Sequence, residues 1–128
     1  MGKDYNVVLN LLKSVCGSNY VITRNWRKHS YINGWRFGKG DALAVVKPAN
    51  LIEIWNTLQV CVKNNFIVIM QAANTGLTGG STPDKKKYDR PIIIINTIRI
   101  KDIHILKSGH QIIALGGSSL FDLENIIK

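Results

Sequence analysis

The hydrophobic and polar positions of this chain fall into helical stripes and short continuous apolar runs. One stripe predicts an amphipathic first helix that ends at Gly17, and its apolar members are Val7, Val8, Leu11, Leu12 and Val15. Asn50 is a suitable N-cap for another helix that runs to about Asn64. The expected buried stripe of that helix is Leu51, Ile54, Trp55, Leu58 and Val62.

Three apolar runs predict buried strands: ALAVVKP at 42–48, FIVIM at 66–70 and PIIIINT at 91–97. The first two flank the helix capped by Asn50, so strand, helix and strand follow one another as in a βαβ unit, with a right-handed crossover expected. Continuous apolar strands are typical of a sheet that is covered on both faces. The pattern therefore predicts an α+β fold with an α/β-like start.

The C-terminal part predicts a hairpin and a last helix. IHIL and QIIAL are joined by KSGH, which places the turn at Ser108 and Gly109. In GGSSLFDLENIIK, Ser119 is a suitable N-cap and Asp122 is well placed near the positive end of the helix dipole. No helix stop signal precedes Lys128, so we expect the domain to continue beyond it.

The segment 23–40, TRNWRKHSYINGWRFGKG, has no sustained period. Because Trp26, Tyr31 and Trp35 are costly to leave in water, we expect an ordered basic loop rather than a flexible linker. Cations interleaved with aromatic rings also suit a nucleic-acid surface. We favour a loop that wraps the neighbouring strands.

Composition and charge restrict the partners. With 128 residues and 45% hydrophobic residues, the chain has the size of one domain. Its net charge of +9 favours an anionic partner: nucleic acid, an acidic membrane surface or a phosphorylated small molecule. Lys85, Lys86 and Lys87 suit a membrane surface, although a solvated turn is the simpler interpretation.

The sequence gives little support for a metal site, a membrane-spanning helix or a catalytic histidine. Cys16 and Cys61 are far apart and form no CxxC pair, so we expect small core residues, no metal site and a reducing compartment. The chain has no signal-peptide pattern and no apolar run of about 18 residues, so we expect a soluble cytoplasmic segment. His29, His104 and His110 lack an orienting partner in sequence and are not assigned as catalytic bases.

The stretch QAANTGLTGGSTP, residues 71–83, leaves the second predicted strand and carries little bulk. Glycine tolerates the positive φ values that let successive N–H groups converge on phosphate oxygens, and threonine and serine hydroxyls add donors. The glycines at 76, 79 and 80 match neither GxGxxG nor a Walker loop. The residues alone allow two interpretations: an anion-binding loop and a mobile surface loop.

Four stretches closely resemble the N-terminal FAD-binding region of the quinone-dependent D-lactate dehydrogenases, bacterial respiratory flavoproteins with the vanillyl-alcohol oxidase type of flavin-binding fold. They are DALAVVKPANLIEIWNTLQVCV, IVIMQAANTGLTGGSTP, YDRPIIIINT and ALGGSSLFDLENI. The resemblance covers roughly Val21 to Lys128. It implies that residues 1–128 are the N-terminal part of an FAD-binding domain, its first subdomain and the start of the second.

The resemblance also implies a site. The residues expected to bind FAD, mainly at its pyrophosphate, are Ala72, Ala73, Asn74, Thr75, Gly76, Gly80 and Ser81. The family oxidises D-lactate to pyruvate and passes electrons through FAD to quinone, as a peripheral protein on the cytoplasmic side of the inner membrane. The residues that bind D-lactate, contact the flavin ring and associate with the membrane would lie beyond Lys128, so none here is assigned a catalytic role.

Two other hypotheses stand beside an FAD-binding part of a D-lactate dehydrogenase. In the first, the chain is a non-catalytic remnant or one half of a split gene. In the second, which belongs to another class of function, it is a small basic nucleic-acid-binding domain.

Overall fold

A computed structural model describes residues 4–84 and 88–128 and has the predicted α+β composition. The helices are α1 (Asn6–Cys16), α2 (Asn25–Ile32), α3 (Leu51–Lys63) and α4 (Leu120–Ile127). The strands are β1 (Val21–Ile22), β2 (Ala44–Val46), β3 (Ile67–Gln71), β4 (Ile92–Asn96), β5 (Ile103–Leu106) and β6 (Gln111–Ala114). Short 3-10 turns occupy Ser18–Tyr20 and Lys107–Gly109. The predicted lysine run Lys85 to Lys87 lies outside the described residues.

The main sheet has four strands in the order β1-β2-β4-β3. Strands β2, β4 and β3 are parallel, and the short β1 pairs antiparallel with β2. The three predicted apolar strands are confirmed, but β2 and β3, which α3 connects, are separated by β4. The loops that follow β3 and β4 therefore leave the sheet side by side.

Both faces of this sheet are covered, as the continuous apolar runs predict. On one face α1 and α3 pack against a buried cluster that includes Ala44, Val46, Ile93 and Ile95. On the other face Val45 and Ile94 lie in a second cluster, against which α2 packs through Tyr31 and Ile32. Successive residues of β2 and β4 thus point to opposite faces, and all of them are buried.

The two predicted amphipathic helices are confirmed, but their predicted buried faces are partly wrong. In α1 the buried residues are Leu12 and Cys16, whereas Val7 is 70% exposed. The helix ends at Gly17 as predicted, and this glycine has a positive φ angle of 89°, although its ψ angle of 145° is outside the left-handed helical region. Both sides of α1 carry apolar residues, so hydrophobicity alone could not decide which side faces the sheet.

Helix α3 shows the same effect more strongly. Its N-cap is confirmed, since the Asn50 side chain accepts a 2.9 Å hydrogen bond from the backbone N–H of Glu53. The helix buries Thr57 and Cys61, and half-buries Ile54 and Leu58. The remaining members of the predicted stripe, Leu51, Trp55 and Val62, are at least 61% exposed. Small side chains at the contact let the helix lie close to the sheet, and this favours the face with Thr57 and Cys61.

The prediction of a loop throughout 23–40 is wrong, because residues 25–32 form α2. The helix has no apolar stripe. Its one buried residue is Lys28, whose ammonium group forms a 3.1 Å ion pair with Asp41 and donates to the carbonyl of Ala42. The expectation that the indoles are withdrawn from water also fails, since Trp26 is 73% and Trp35 80% exposed.

Strands β5 and β6 form a separate antiparallel pair, as predicted, with positive φ angles at Ser108 and Gly109 in the turn. A predicted cap also begins α4, where the Ser119 hydroxyl and the Asp122 carboxylate form a capping box. The Gly117 N–H donates to the Ile100 carbonyl at 2.8 Å, and this bond joins the segment before α4 to the turn that follows β4. Within residues 4–84 and 88–128, no helix is long and apolar enough to cross a membrane.

Both cysteines are confirmed as core residues. Cys16 and Cys61 are buried and unpaired as a disulfide. Burial raises the pKa of the Cys61 thiol to about 11, and it is also the main cause of a raised pKa at Cys16. The described residues contain no group of three or more metal-ligating side chains.

Candidate anion-binding site at the end of the parallel strands

The Gly/Thr loop, residues 72–82, leaves the carboxyl end of β3 beside the end of β4. Two buried amides hold its first residue. The Asn96 side chain donates to the Gln71 side-chain oxygen at 3.1 Å and to the Ala72 carbonyl at 2.8 Å. The carboxyl ends of parallel strands are where α/β sheets place ligands, and here side chains of both strands fix the start of the loop.

The Gln71 amide group ties the two ends of the Gly/Thr loop together. Its nitrogen donates at 2.8 Å both to the Tyr31 carbonyl of α2 and to the Ser81 carbonyl near the end of the loop. Gln71 is only 3% exposed, so these bonds are shielded from water. The loop is therefore closed at its base.

Asn74 fixes the middle of the Gly/Thr loop. Its backbone has a φ angle of 58°, a left-handed conformation that Asn adopts more readily than most residues. The side-chain nitrogen donates to the carbonyls of Ser30 at 3.2 Å and Asn33 at 2.9 Å. The side-chain oxygen accepts a 2.8 Å hydrogen bond from the Ser81 hydroxyl. One amide thus joins α2 to both arms of the loop.

These contacts change what each predicted site residue is able to offer a ligand. The side chains of Asn74 and Ser81 are occupied by the protein itself. Within the described part of the chain, no backbone N–H from 72 to 81 donates a hydrogen bond to a protein acceptor. The site therefore presents a run of free backbone donors on a loop whose shape is set by side chains.

The glycines of the loop act differently from the expectation. Positive φ values occur at Asn74 and Gly79, not at Gly76 or Gly80. A Cβ built on Gly76 would lie 3.9 Å from the Ser81 hydroxyl, and one on Gly80 would lie 3.8 Å from the Thr78 hydroxyl. Both positions have room for a methyl group in the protein alone. Their bareness instead leaves the outer surface of the loop open to close approach.

Residues 116–119 form a second wall of the site, which the sequence did not predict. Ala72 and Ala73 line a cavity of about 290 Å³ whose other side is formed by 116–119, with Lys101 and Asp122 at its edge. Hydrogen bonds from the Ser119 hydroxyl and backbone are the main cause of a lowered pKa at Asp122. The glycine pair in ALGGSSL was the available signal, but nothing in sequence places it beside 72–73.

The arrangement fits a phosphate or pyrophosphate group. Neutral N–H donors on a loop with small residues at 72, 73, 76 and 80 suit an anion that lies close to backbone. Lys101 and Asp122 add one charge of each sign to the cavity lining. The three histidines are exposed, and none is hydrogen-bonded through its ring to another described residue. The geometry supports binding of an anion.

Sequence comparison relates almost the whole chain to one group of enzymes. The chain is 52% identical over 94% of its length to a quinone-dependent D-lactate dehydrogenase of Haemophilus influenzae. It is 45% identical over 98% of its length to the Escherichia coli protein of the same description. In each case it spans about a fifth of the relative, 22% of its length. No protein-family model matches the chain.

Solved structures give the same answer for the fold. Alkyldihydroxyacetonephosphate synthase superposes with a TM-score of 0.82 at 16% identity, over 98% of this chain and 25% of that one. p-Cresol methylhydroxylase superposes with a TM-score of 0.78 at 11% identity, over 96% of this chain and 24% of that one. At these identities both superpositions show the fold alone. The chain therefore belongs to the quinone-dependent D-lactate dehydrogenase family, over about a fifth of the family's length, and has the vanillyl-alcohol oxidase type of FAD-binding fold.

Proposed function

We propose that residues 1–128 form the N-terminal part of an FAD-binding domain and that the Gly/Thr loop holds the FAD pyrophosphate. The residues assigned to this role are Ala72, Ala73, Asn74, Thr75, Gly76, Gly80 and Ser81. The observation that carries the proposal is the run of backbone N–H groups from 72 to 81 that donate to no acceptor in residues 4–84 and 88–128, on a loop that side chains hold at its base and its middle.

The assigned residues divide into two roles. Asn74 and Ser81 bond to each other and fix the loop before a ligand arrives, so little ordering entropy is lost on binding. Ala72, Ala73, Thr75, Gly76 and Gly80 offer backbone N–H groups, with no large side chain at the glycines and alanines to keep a phosphate away. The net charge of +9 attracts the anion at longer range.

We further propose that the intact enzyme oxidises D-lactate to pyruvate and delivers the electrons to quinone. The names and the high identity of the relatives support this activity. Bound FAD would supply the two-electron acceptor. This chain would contribute binding and orientation, while D-lactate and quinone would be bound by residues outside these 128 positions. Because respiratory quinones are dissolved in the membrane, we also propose that the intact enzyme works at a membrane. The face that we propose is the cytoplasmic side of the inner membrane.

The assignment predicts that Gly76→Val abolishes FAD binding without unfolding the chain. A Cβ at this position has room in the protein, with its nearest neighbour 3.9 Å away, so the added side chain should disturb the ligand rather than the fold. Binding is measured by equilibrium dialysis of FAD against the purified chain, with thermal unfolding recorded in parallel. Ala114→Val, which adds bulk on the exposed β6, is the matched control and should bind as the unmodified chain does.

One result would contradict the proposal, and another would contradict the affinity that we expect of this chain. Equal FAD binding by Gly76→Val and the unmodified chain would remove Gly76 from the site. We also expect weak binding by the isolated chain, because the loop and the neighbouring wall form one side of a cofactor site. Stoichiometric flavin that survives gel filtration would show that this expectation is wrong.

A further inference from the structure

A second cavity, of about 450 Å³, lies between α2 and the residues in and beside β1 and β2, and is not used by the proposed FAD site. Its lining includes Tyr20, which precedes β1, and Lys47, which follows β2. Four residues of α2 also line it: Trp26, Arg27, Ser30 and Tyr31. A cavity of this size is within the range of small-molecule sites. Its lining contains three aromatic rings and two cations.

The aromatic rings of this cavity are not equivalent. The Arg99 guanidinium lies 3.4 Å from the centre of the Tyr20 ring, and the Lys47 ammonium lies 5.8 Å from the centre of the Tyr31 ring. Trp26 has no ring or cation contact of this kind within the described residues and is 73% exposed. A large indole beside a cavity with free faces is suited to stack on a planar ligand.

The charge of this cavity is positive and uncompensated. No carboxylate is among its lining residues. Within 4–84 and 88–128, neither Arg27 nor Lys47 forms an ion pair through its side chain. Two cations without a counter-ion beside a stacking surface favour a ligand that is both aromatic and anionic.

We propose that this cavity binds a mononucleotide, with its base stacked on Trp26 and its phosphate facing Arg27 and Lys47. Nucleic acid, which would use the same chemistry, fits less well, because a 450 Å³ cavity bounded by one helix and two strand ends offers one stacking surface rather than a continuous groove. The inference does not depend on FAD binding by the Gly/Thr loop, which uses different residues.

The mononucleotide site is nevertheless close to that loop in the structure. Ser30 and Tyr31 line the cavity, and their carbonyl groups accept the hydrogen bonds of Asn74 and Gln71. A ligand that orders this part of α2 would also steady the acceptors that hold the loop. These two carbonyls connect the mononucleotide site to the loop.

The test is a fluorescence titration with AMP on a Trp35→Phe/Trp55→Phe protein, in which Trp26 is the remaining indole. We expect saturable quenching by AMP and much weaker effects from adenosine, which lacks the charge, and from ribose 5-phosphate, which lacks the ring. Arg27→Gln should weaken AMP binding about tenfold. Arg24→Gln, an exposed cation of the same segment that does not line this cavity, is the matched control and should have no effect.

Calorimetric titration of Trp26→Ala should show AMP affinity reduced about 5- to 100-fold, the range expected for a lost base-stacking contact. Gly76→Val should bind AMP normally whether or not the chain binds FAD. Loss of the AMP signal in Gly76→Val would assign the nucleotide to the Gly/Thr loop and overturn the inference. Equal affinity for AMP and ribose 5-phosphate, no saturable binding, or much tighter binding of a single-stranded oligonucleotide would overturn it as well.

Discussion

Replacing Asn74 provides the most direct test of how the Gly/Thr loop is built. Its side chain forms three hydrogen bonds of 2.8 to 3.2 Å that join α2, the middle of the loop and Ser81. At about 1 kcal/mol for each bond, Asn74→Ala should lower the free energy of unfolding by about 2 to 3 kcal/mol. The φ angle of 58° adds about 1 kcal/mol, because alanine adopts this conformation less readily than asparagine.

A second variant separates the hydrogen bonds from the backbone conformation. Asn74→Gly removes the same three bonds but accepts the left-handed φ without strain, so it should lose about 2 kcal/mol and less than Asn74→Ala. Asn64→Ala is the control, since its side chain makes one exposed 2.8 Å bond to the Val60 carbonyl and should cost under about 1 kcal/mol.

Urea unfolding followed by far-ultraviolet circular dichroism measures these differences, and limited proteolysis reports on the loop itself. Both Asn74 variants should be cleaved within 72–82 faster than the unmodified chain, because the arms of the loop are no longer joined. Wild-type stability and wild-type cleavage of Asn74→Gly would refute the view that this amide shapes the loop.

Two further perturbations probe packing and protonation. Gly117→Ala should destabilise the chain by about 1 to 3 kcal/mol in urea unfolding, because its Cβ would lie 2.2 Å from the Thr97 carbonyl oxygen; Gly109→Ala, with nothing within 4 Å, should cost less despite its positive φ. Burial raises the pKa of Cys61 from 9.0 to about 11, so the folded chain keeps this proton at a pH where the unfolded chain loses it. The free energy of unfolding should therefore fall by up to about 3 kcal/mol between about pH 9 and pH 11. Cys61→Ala should lack this loss, and an identical pH dependence in both proteins would show that the thiol does not contribute.

Local signals predicted the elements that depend on short-range chemistry. The caps at Asn50 and Ser119 and the turn at Ser108 and Gly109 all occur where the residue types indicate them. These features involve side chains and backbone groups within about four positions of one another, so the sequence contains all the partners. The apolar strands were equally clear, because β4 is buried along its whole length.

Faces and long-range contacts were not predictable in this way. Leu51, Trp55 and Val62 are as hydrophobic as the residues that α3 buries, and the position of the sheet selects the other side. Helix α2 lacks an apolar stripe, since it is held by a buried Lys28 and by contacts through Tyr31 and Ile32. Periodicity detects burial of one continuous stripe and misses a helix held by a few specific groups.

The Gly/Thr loop shows most clearly what each level determined. The sequence by itself indicated a bare loop at the end of a strand, with backbone able to approach an anion, and the resemblance named FAD. Only the tertiary structure decided that Asn74 and Ser81 hold the loop, that Gly76 has no need of a positive φ, and that 116–119 form the neighbouring wall. The physical reason is that the partners are far apart along the chain. Asn74 bonds to Asn33, 41 positions away, and Ala72 lines one cavity with 116–119. Folding brings such partners together, since the parallel strands β3 and β4 end side by side.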